Sequence, residues 1–304
     1  MPARSHLPTS INARALAGIA LVIAAVACFA LLDTTTKRVT AEVPLLMAVW
    51  ARNFFQALFT SALVLPKQGL SVIKTDRLGM QITRGLLMIT VTMLAFSSLS
   101  VMPVGEFTAI AMTTPLLVTL LAARLLGEHV SSSRIALVLG GFLGTAIIVR
   151  PNGNAVSWNS WHMLLPLGLV IANAAFQLLT SKMARTESTM TTQFYTSWVG
   201  ALLSSVPLIW FWTPIADPYL WAGMLLMGVA GAVGHILMIM SFARSPAATL
   251  MPFMYLQIGF AMLGGWIVFD HIPDHVSLIG MGLIAACGTA GGLLTLIETR
   301  LRRS

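Results

Sequence analysis

Long stretches of this chain contain no Asp, Glu, Lys or Arg, among them Ala15–Leu32, Gly85–Gly105, Ser188–Ala216, Pro218–Ala243, Ser245–Phe269 and Val276–Ile297. Each is long enough to cross, or nearly cross, the hydrocarbon core as a helix, which takes roughly 20 apolar residues. A water-soluble fold has no use for so many. Barrel strands would alternate apolar and polar positions over about ten residues. These runs are apolar on every side, so helices are expected. Reading outward from them gives ten spans, at 14–36, 44–65, 81–101, 103–124, 132–149, 160–182, 192–212, 219–242, 247–269 and 276–297. Composition agrees: 57% of residues are hydrophobic and 9% charged, against about 25% charged in a soluble domain. The predicted fold is an all-α integral membrane bundle with no separate soluble domain.

Prolines punctuate the connections. Pro44, Pro66, Pro103, Pro151, Pro218, Pro246 and Pro273 fall at or near predicted ends, where a missing N–H does least harm. Pro115, Pro166, Pro207 and Pro252 lie inside spans and must kink a helix or open its ladder.

The net charge of +8 is sorted by side rather than gathered in a nucleic-acid patch. If the first helix runs outward, fourteen Lys and Arg residues fall inside, three (Lys37, Arg38, Arg150) outside, and Arg52 lies within a span. That bias obeys the positive-inside rule. It predicts both termini in the cytoplasm of a bacterial cell and a location in the inner membrane. The first span lacks a cleavage site and is read as a retained helix. Trp158, Trp161, Trp210, Trp212 and Trp221 sit near predicted outer ends, as interfacial anchors do. Cys28 and Cys287 belong to no metal-ligand spacing, and no cofactor or metal is expected.

The chain also repeats itself. Gly85–Ala109 aligns without a gap against Gly228–Pro252 at an offset of 143, placing Gly85 on Gly228, Ser98 on Ser241 and Pro103 on Pro246. One residue of slippage then sets Gly127-Glu128 against Phe269-Asp270 and Gly140 against Gly282. The expected units are a cytoplasmic tail (1–12), a five-helix repeat (13–151), a second repeat (158–298) and a basic tail (299–304). Five is odd, so the second repeat must thread the membrane upside down, the inverted plan of many secondary transporters.

In these features the sequence resembles the drug/metabolite transporter superfamily, specifically its ten-helix members built from two EamA domains, over about residues 12–298. The marks are Arg52 early in the second span, Arg84 opening the third, Pro115 in the fourth, Leu126-Gly127-Glu128 closing it, and Gly140–Pro151 ending the first half. Tyr255-Leu256-Gln257 and Phe269-Asp270-His271-Ile272-Pro273 occupy the matching places in the second half, the latter in place of Gly-Glu-x-Pro. The resemblance implies a gradient-driven transporter, with proton-coupled export the usual mode. The Asp33, Lys37, Arg52 set is similar to that of members moving larger metabolites such as S-adenosylmethionine, riboflavin or opine-type metallophores.

Ionisable groups within a bilayer are costly and mark function by default. Asp33 and Lys37 are four residues apart near the outer end of the first span. Arg52 lies about 12 Å inward from Pro44 at 1.5 Å per residue, and Glu106 about one turn into the fourth span. These four are expected to form one outer cluster, either a helix lock or gate or a direct substrate contact. His235 in the eighth span is a candidate proton relay or a packing histidine. Thr113, Thr114 and Gln257 fall roughly 15 Å deep, and the repeat register sets Thr114 against Gln257. With Gln56, Asn173, Gln177 and Tyr255 they are the candidate lining of a central substrate cavity; interhelical hydrogen bonding is the alternative. Gly140-x-x-x-Gly144 and Gly288-x-x-x-Gly292 are expected to pack the fifth and tenth spans closely.

No P-loop is present, so this chain has no ATP motor of that kind. Gly-x-Ser-x-Gly, His-Glu-x-x-His and Asp-rich diphosphate motifs are also absent, which argues against an intramembrane enzyme. The expected function is export of a small polar or zwitterionic metabolite, with uptake of a larger metabolite such as S-adenosylmethionine or riboflavin as the alternative, the lipid bilayer as solvent and, as the resemblance implies, protons as the coupling ion.

Overall fold

A computed structural model describes residues 9–125, 132–148, 162, 164–183, 187–242, 244, 250 and 253–301. All regular structure among them is helical: α1 (Thr9–Thr40), α2 (Leu45–Gln68), a short 3-10 turn (Gly69–Ile73), α3 (Leu78–Val101), α4 (Val104–Ala111), α5 (Thr114–Leu125), α6 (Ser132–Ile148), α7 (Leu164–Met183), α8 (Thr189–Phe211), α9 (Pro218–Phe242), α10 (Leu256–Phe269) and α11 (His275–Leu301). Segments of α1, α3, α8 and α9 are long and apolar enough to cross a membrane, and shorter apolar stretches lie in α4–α5, α6, α7, α10 and α11. Side chains such as Leu139, Ile171, Leu202, Ile209, Ile267 and Ile279 are well exposed. An exterior this apolar fits lipid as solvent.

The predicted fourth span is not one continuous helix. Met112 and Thr113 form a turn between α4 and α5. Pro115 supplies the reason: it has no N–H and its ring would clash with the carbonyl four residues back. A new helix can instead start just before it, where proline is at home. The Thr113 hydroxyl donates to the Ile110 carbonyl at 2.7 Å and seals the break. The ninth span is interrupted likewise, with Tyr255 as a turn residue immediately before α10. At the offset of 143, Met112 corresponds to Tyr255.

The principal helix pairs are α1 with α9, α3 with α7, α2 with α8 and α9, α3 with α8, α1 with α10, α5 with α7, α4 with α10, and α6 with α11. Two cores result. One gathers Leu99, Phe107, Ile110, Leu169, Ile258 and Ile284 from α3, α4, α7, α10 and α11. The other gathers Val39, Met47, Leu208, Met224 and Met227 from α1, α2, α8 and α9.

Glycines set the closest approaches. A Cβ at Gly228 would stand 2.9 Å from the Gln56 amide nitrogen, and one at Gly85 would collide with the Val199 side chain. These two contacts are equivalent at the offset of 143, which maps Gly85 on Gly228 and Gln56 on Val199. Between α6 and α11, a Cβ at Gly144 would lie 2.8 Å from the Gly280 carbonyl oxygen. The α11 partner of Gly144 is therefore Gly280; Gly288 instead lies beneath the Tyr255 ring. Trp210 and Trp212 are exposed at the end of α8. The boundaries at 151 and 158, Leu126-Gly127-Glu128, Trp158, Trp161 and the outermost tail residues lie outside the described residues.

Candidate functional site

Polar side chains in this bundle form a connected series rather than isolated pairs. At its centre is Asp33 on α1, which accepts hydrogen bonds through Oδ2 from Gln257 Nε2 at 3.3 Å and Thr108 Oγ1 at 3.4 Å. Gln257 belongs to the first turn of α10, so the carboxylate lies off a helix N-terminus, where the backbone dipole favours negative charge. Arg52 acts on Asp33 electrostatically, and among the described residues no direct ion pair joins them. Its guanidinium is buried and donates from Nη1 to Thr92 at 2.8 Å and to Asn53 Oδ1 at 3.4 Å. One turn further along α2, Gln56 Nε2 reaches Ser197 Oγ on α8 at 3.5 Å.

The neighbouring residue on α8, Thr196, is bound by Arg84 of α3. Arg84 also donates to Thr180 Oγ1 at 2.8 Å and to the Thr192 carbonyl at 3.3 Å, and its guanidinium lies 4.4 Å from the Phe176 ring centroid. Beyond it, Glu187 Oε2 accepts from Thr75 at 2.8 Å and Gln81 at 3.1 Å. His235 on α9 stands within electrostatic range of both Arg52 and Arg84, its ring edge-on to Phe29 at 5.1 Å.

A separate polar cluster, a candidate lock, lies at the opposite end of α3. Asp270 adopts a left-handed conformation, φ 51°, and its N–H caps α10 on the Trp266 carbonyl at 2.9 Å. Asp tolerates this conformation better than most residues. The resulting turn aims His271 at α4, where Nε2 meets Glu106 Oε1 at 3.1 Å. Lys37 donates to the Leu99 and Met102 carbonyls at 3.1 and 2.9 Å, a cation at the negative end of α3. Its Nζ lies 5.7 Å from the Phe269 ring centroid.

The expected outer cluster of four is thus divided. Asp33 and Arg52 join Gln257 in the central series, while Lys37 and Glu106 belong to the lock with His271. Thr114 opens α5, with its hydroxyl buried and unpartnered, and Gln257 enters α10 at the equivalent break. Thr113 closes its own turn. Asn173 and Gln177 are half-buried on α7, and Tyr255 is buried against Gly288. Buried atoms without a partner recur along the series: Gln56 Oε1, Thr60 Oγ1, Gln81 Oε1, Gln193 Nε2, and Glu106 Oε2 in the lock. No group of three or more His, Cys, Asp or Glu suited to a metal occurs among the described residues.

Sequence reasoning missed the Arg84 web, Thr92, Thr108 and His271. Thr92 and Arg84 are eight residues apart on α3, about 12 Å, a spacing that could have linked them to one face. His271 had no such signal, because its direction depends on the backbone of Asp270.

The chain is similar to known proteins. Residues 16–150 match the EamA-like transporter family. The chain is 27% identical over 297 residues to a riboflavin transporter of Rhizobium johnstonii, covering 95% of this chain and 94% of that one. It is 26% identical over 235 residues to an S-adenosylmethionine uptake transporter of Rickettsia bellii, covering 76% and 79%. It is 25% identical over 275 residues to the pseudopaline exporter CntI of Pseudomonas aeruginosa, covering 89% and 94%. One crystal structure superposes with a TM-score of 0.64 at 19% identity, over 95% of this chain and 99% of the other, which fixes the likeness of fold. The chain thus carries an EamA-like domain in its first half and is similar along most of its length to membrane transporters of both uptake and export kinds.

Proposed function

We propose that this protein is a secondary transporter of the inner membrane, exporting a small polar or zwitterionic metabolite by alternating access between two inverted five-helix halves. The observation that carries the reading is the Asp33, Gln257, Thr108, Arg52, Thr92 series, an acid and a base held by α1, α2, α3, α4 and α10 inside an apolar bundle. Charges cost too much in hydrocarbon to be kept there without use or partner. A mixed pair of this kind suits a molecule carrying both signs.

A two-fold relation between the halves is supported by the contacts, and an odd number of spans in each half makes that relation inverted. Let spans one to five exchange with six to ten, counting α4 and α5 together as the fourth. The α1–α9 pair then becomes α3–α7, α2–α9 becomes α3–α8, and α1–α10 becomes the contact of α7 with α4 and α5, while α2–α8, α4–α10 and α6–α11 map on themselves. The matched breaks at Met112 and Tyr255 give each half a discontinuous helix, a recurring place for transporter substrate sites.

On this reading Gln56, Thr114, Asn173, Gln177, Tyr255 and Gln257 line the substrate path, and Lys37, Glu106 and His271 form the outer gate. Both termini lie in the cytoplasm, and a proton gradient drives export. Uptake is the second reading, favoured by relatives named for S-adenosylmethionine uptake and riboflavin transport.

A comparison of metabolites in the medium of deletion and overexpressing strains identifies the cargo. Flux of that cargo in proteoliposomes, with and without a pH gradient, then tests coupling. Wild-type flux in both Asp33→Ala and Arg52→Ala, at normal expression, rules the central series out of transport.

A further inference from the structure

Arg84 differs from Arg52 and Lys37, the other cations described within the bundle. Arg52 has Asp33 within electrostatic range, and Lys37 has Glu106. Arg84 is 7% exposed, and all the partners described for it are neutral: two threonine hydroxyls, one carbonyl and the face of Phe176. Among the described residues no carboxylate pairs with it. Glu187, the acid nearest in the polar series, is already engaged by Thr75 and Gln81. A buried guanidinium without a counter-charge is a large cost for a fold to carry.

A second observation lies on the same stretch of α8. Gln193 is 5% exposed, and its amide nitrogen has no acceptor. It sits between Thr192 and Thr196, the two residues that hold Arg84. A buried cation short of a counter-charge and a buried donor short of an acceptor call for the same kind of partner: an anionic group rich in lone pairs.

The repeat shows that the charge is not needed for packing. At the offset of 143, Arg84 corresponds to Met227 and Thr180 lies one residue from the equivalent of Thr36. The second pair is in contact too, with the Thr36 hydroxyl 3.3 Å from the Met227 sulfur. One half therefore closes this helix contact with an uncharged side chain. Arginine at the other adds a charge and a planar fork suited to carboxylate or phosphate.

We infer that Arg84, with Gln193 beside it, is the docking point for a carboxylate or phosphate group of the transported molecule, so that the cargo is an acid or a zwitterion rather than a neutral compound. Arg84 reaches Asp33 through Thr196, Ser197, Gln56 and Arg52, so a cationic group of the same cargo would meet the acid at the other end of the series.

This rests on the transporter reading but is measured apart from flux. Full-length protein in neutral detergent is titrated with matched probes: S-adenosylmethionine against its decarboxylated analogue, riboflavin 5′-phosphate against riboflavin, and L-glutamate, citrate and phosphatidylglycerol alone. Binding is followed by thermal stabilisation for wild type, Arg84→Lys, Arg84→Gln and Arg84→Met. The expected result is that the member of a pair bearing the carboxylate or phosphate binds wild type at least about tenfold more tightly than the member lacking it, equivalent to about 1.4 kcal/mol. Arg84→Gln and Arg84→Met lose that preference, while Arg84→Lys keeps part of it and controls for folding. No preference in wild type, or one that persists without Arg84, overturns the assignment. A response to phosphatidylglycerol alone transfers the site to a lipid headgroup and overturns it equally. Loss of anion binding leaves measured flux standing, and absence of flux leaves measured binding standing.

Discussion

The contact of α3 with α7 and α8 and the contact of α9 with α1 and α2 share one backbone plan and differ in chemistry. Each is made close by a glycine at the same repeat position, Gly85 against Val199 and Gly228 against Gln56. One residue earlier, the first contact carries Arg84 in a polar web and the second carries Met227 against Thr36. Backbone proximity has been kept at both contacts, while at this one repeat position a charge sits in only one of them. Steric locks belong to the fold, which both halves need. On the proposed reading, the polar groups serve the cargo, which meets the two halves differently.

The largest expected effect comes from filling the glycines. Gly228→Val would drive a side chain into the main chain of α2, which cannot move aside as a side chain can; overpacking of this kind costs typically 1–3 kcal/mol or more. Gly85→Val meets only the Val199 side chain. Thermal unfolding in detergent should therefore show a greater loss of Tm for Gly228→Val. Equal losses would break the claim that the two locks differ in rigidity.

Exchanging the chemistry sharpens the comparison next. Met227→Arg places a charge in a contact that has only Thr36 to receive it, and a severalfold drop in folded yield by size-exclusion chromatography is expected. Arg84→Met should fold at near wild-type yield, because replacing a buried charge with an apolar side chain is often neutral or stabilising.

The lock at the His271 end gives a smaller effect. Glu106→Gln keeps a hydrogen-bonding group near His271 but removes the charge, and a loss of about 1–2 kcal/mol of stability is expected from a charge-assisted bond. Urea or thermal unfolding of the two proteins measures it. Smallest of all is Thr36→Val, which removes only a hydroxyl-to-sulfur contact; its Tm should lie within about 2 °C of wild type, as suits a change of about 0.5 kcal/mol or less.

Much of this was legible in the sequence, and the residues show why the rest was not. Charge-free runs announced the helices, since lipid tolerates little else. Landmarks such as Gly85 and Gly228 pointed to a repeat, and each of them packs tightly against a neighbouring helix. Pro115 announced a disturbance of the fourth span, though periodicity alone drew it as one helix instead of two. Asp33, Arg52 and Gln257 stood out as polar groups in apolar surroundings, yet their joining across 224 residues of separation depends on how the halves close. Arg84 stood out only as a charge at a helix start, where basic residues are common. Its isolation from any carboxylate is a property of three packed helices and is invisible in any one of them.

The most direct test places one cysteine at Gln257 after Cys28 and Cys287 are replaced by alanine. Membrane-impermeant maleimide is then applied to right-side-out and to everted vesicles. If two inverted halves alternate around the Asp33 series, Gln257→Cys is labelled from both faces, and cargo slows labelling from either. A cysteine that reacts from one face only, or from neither, contradicts alternating access at this site.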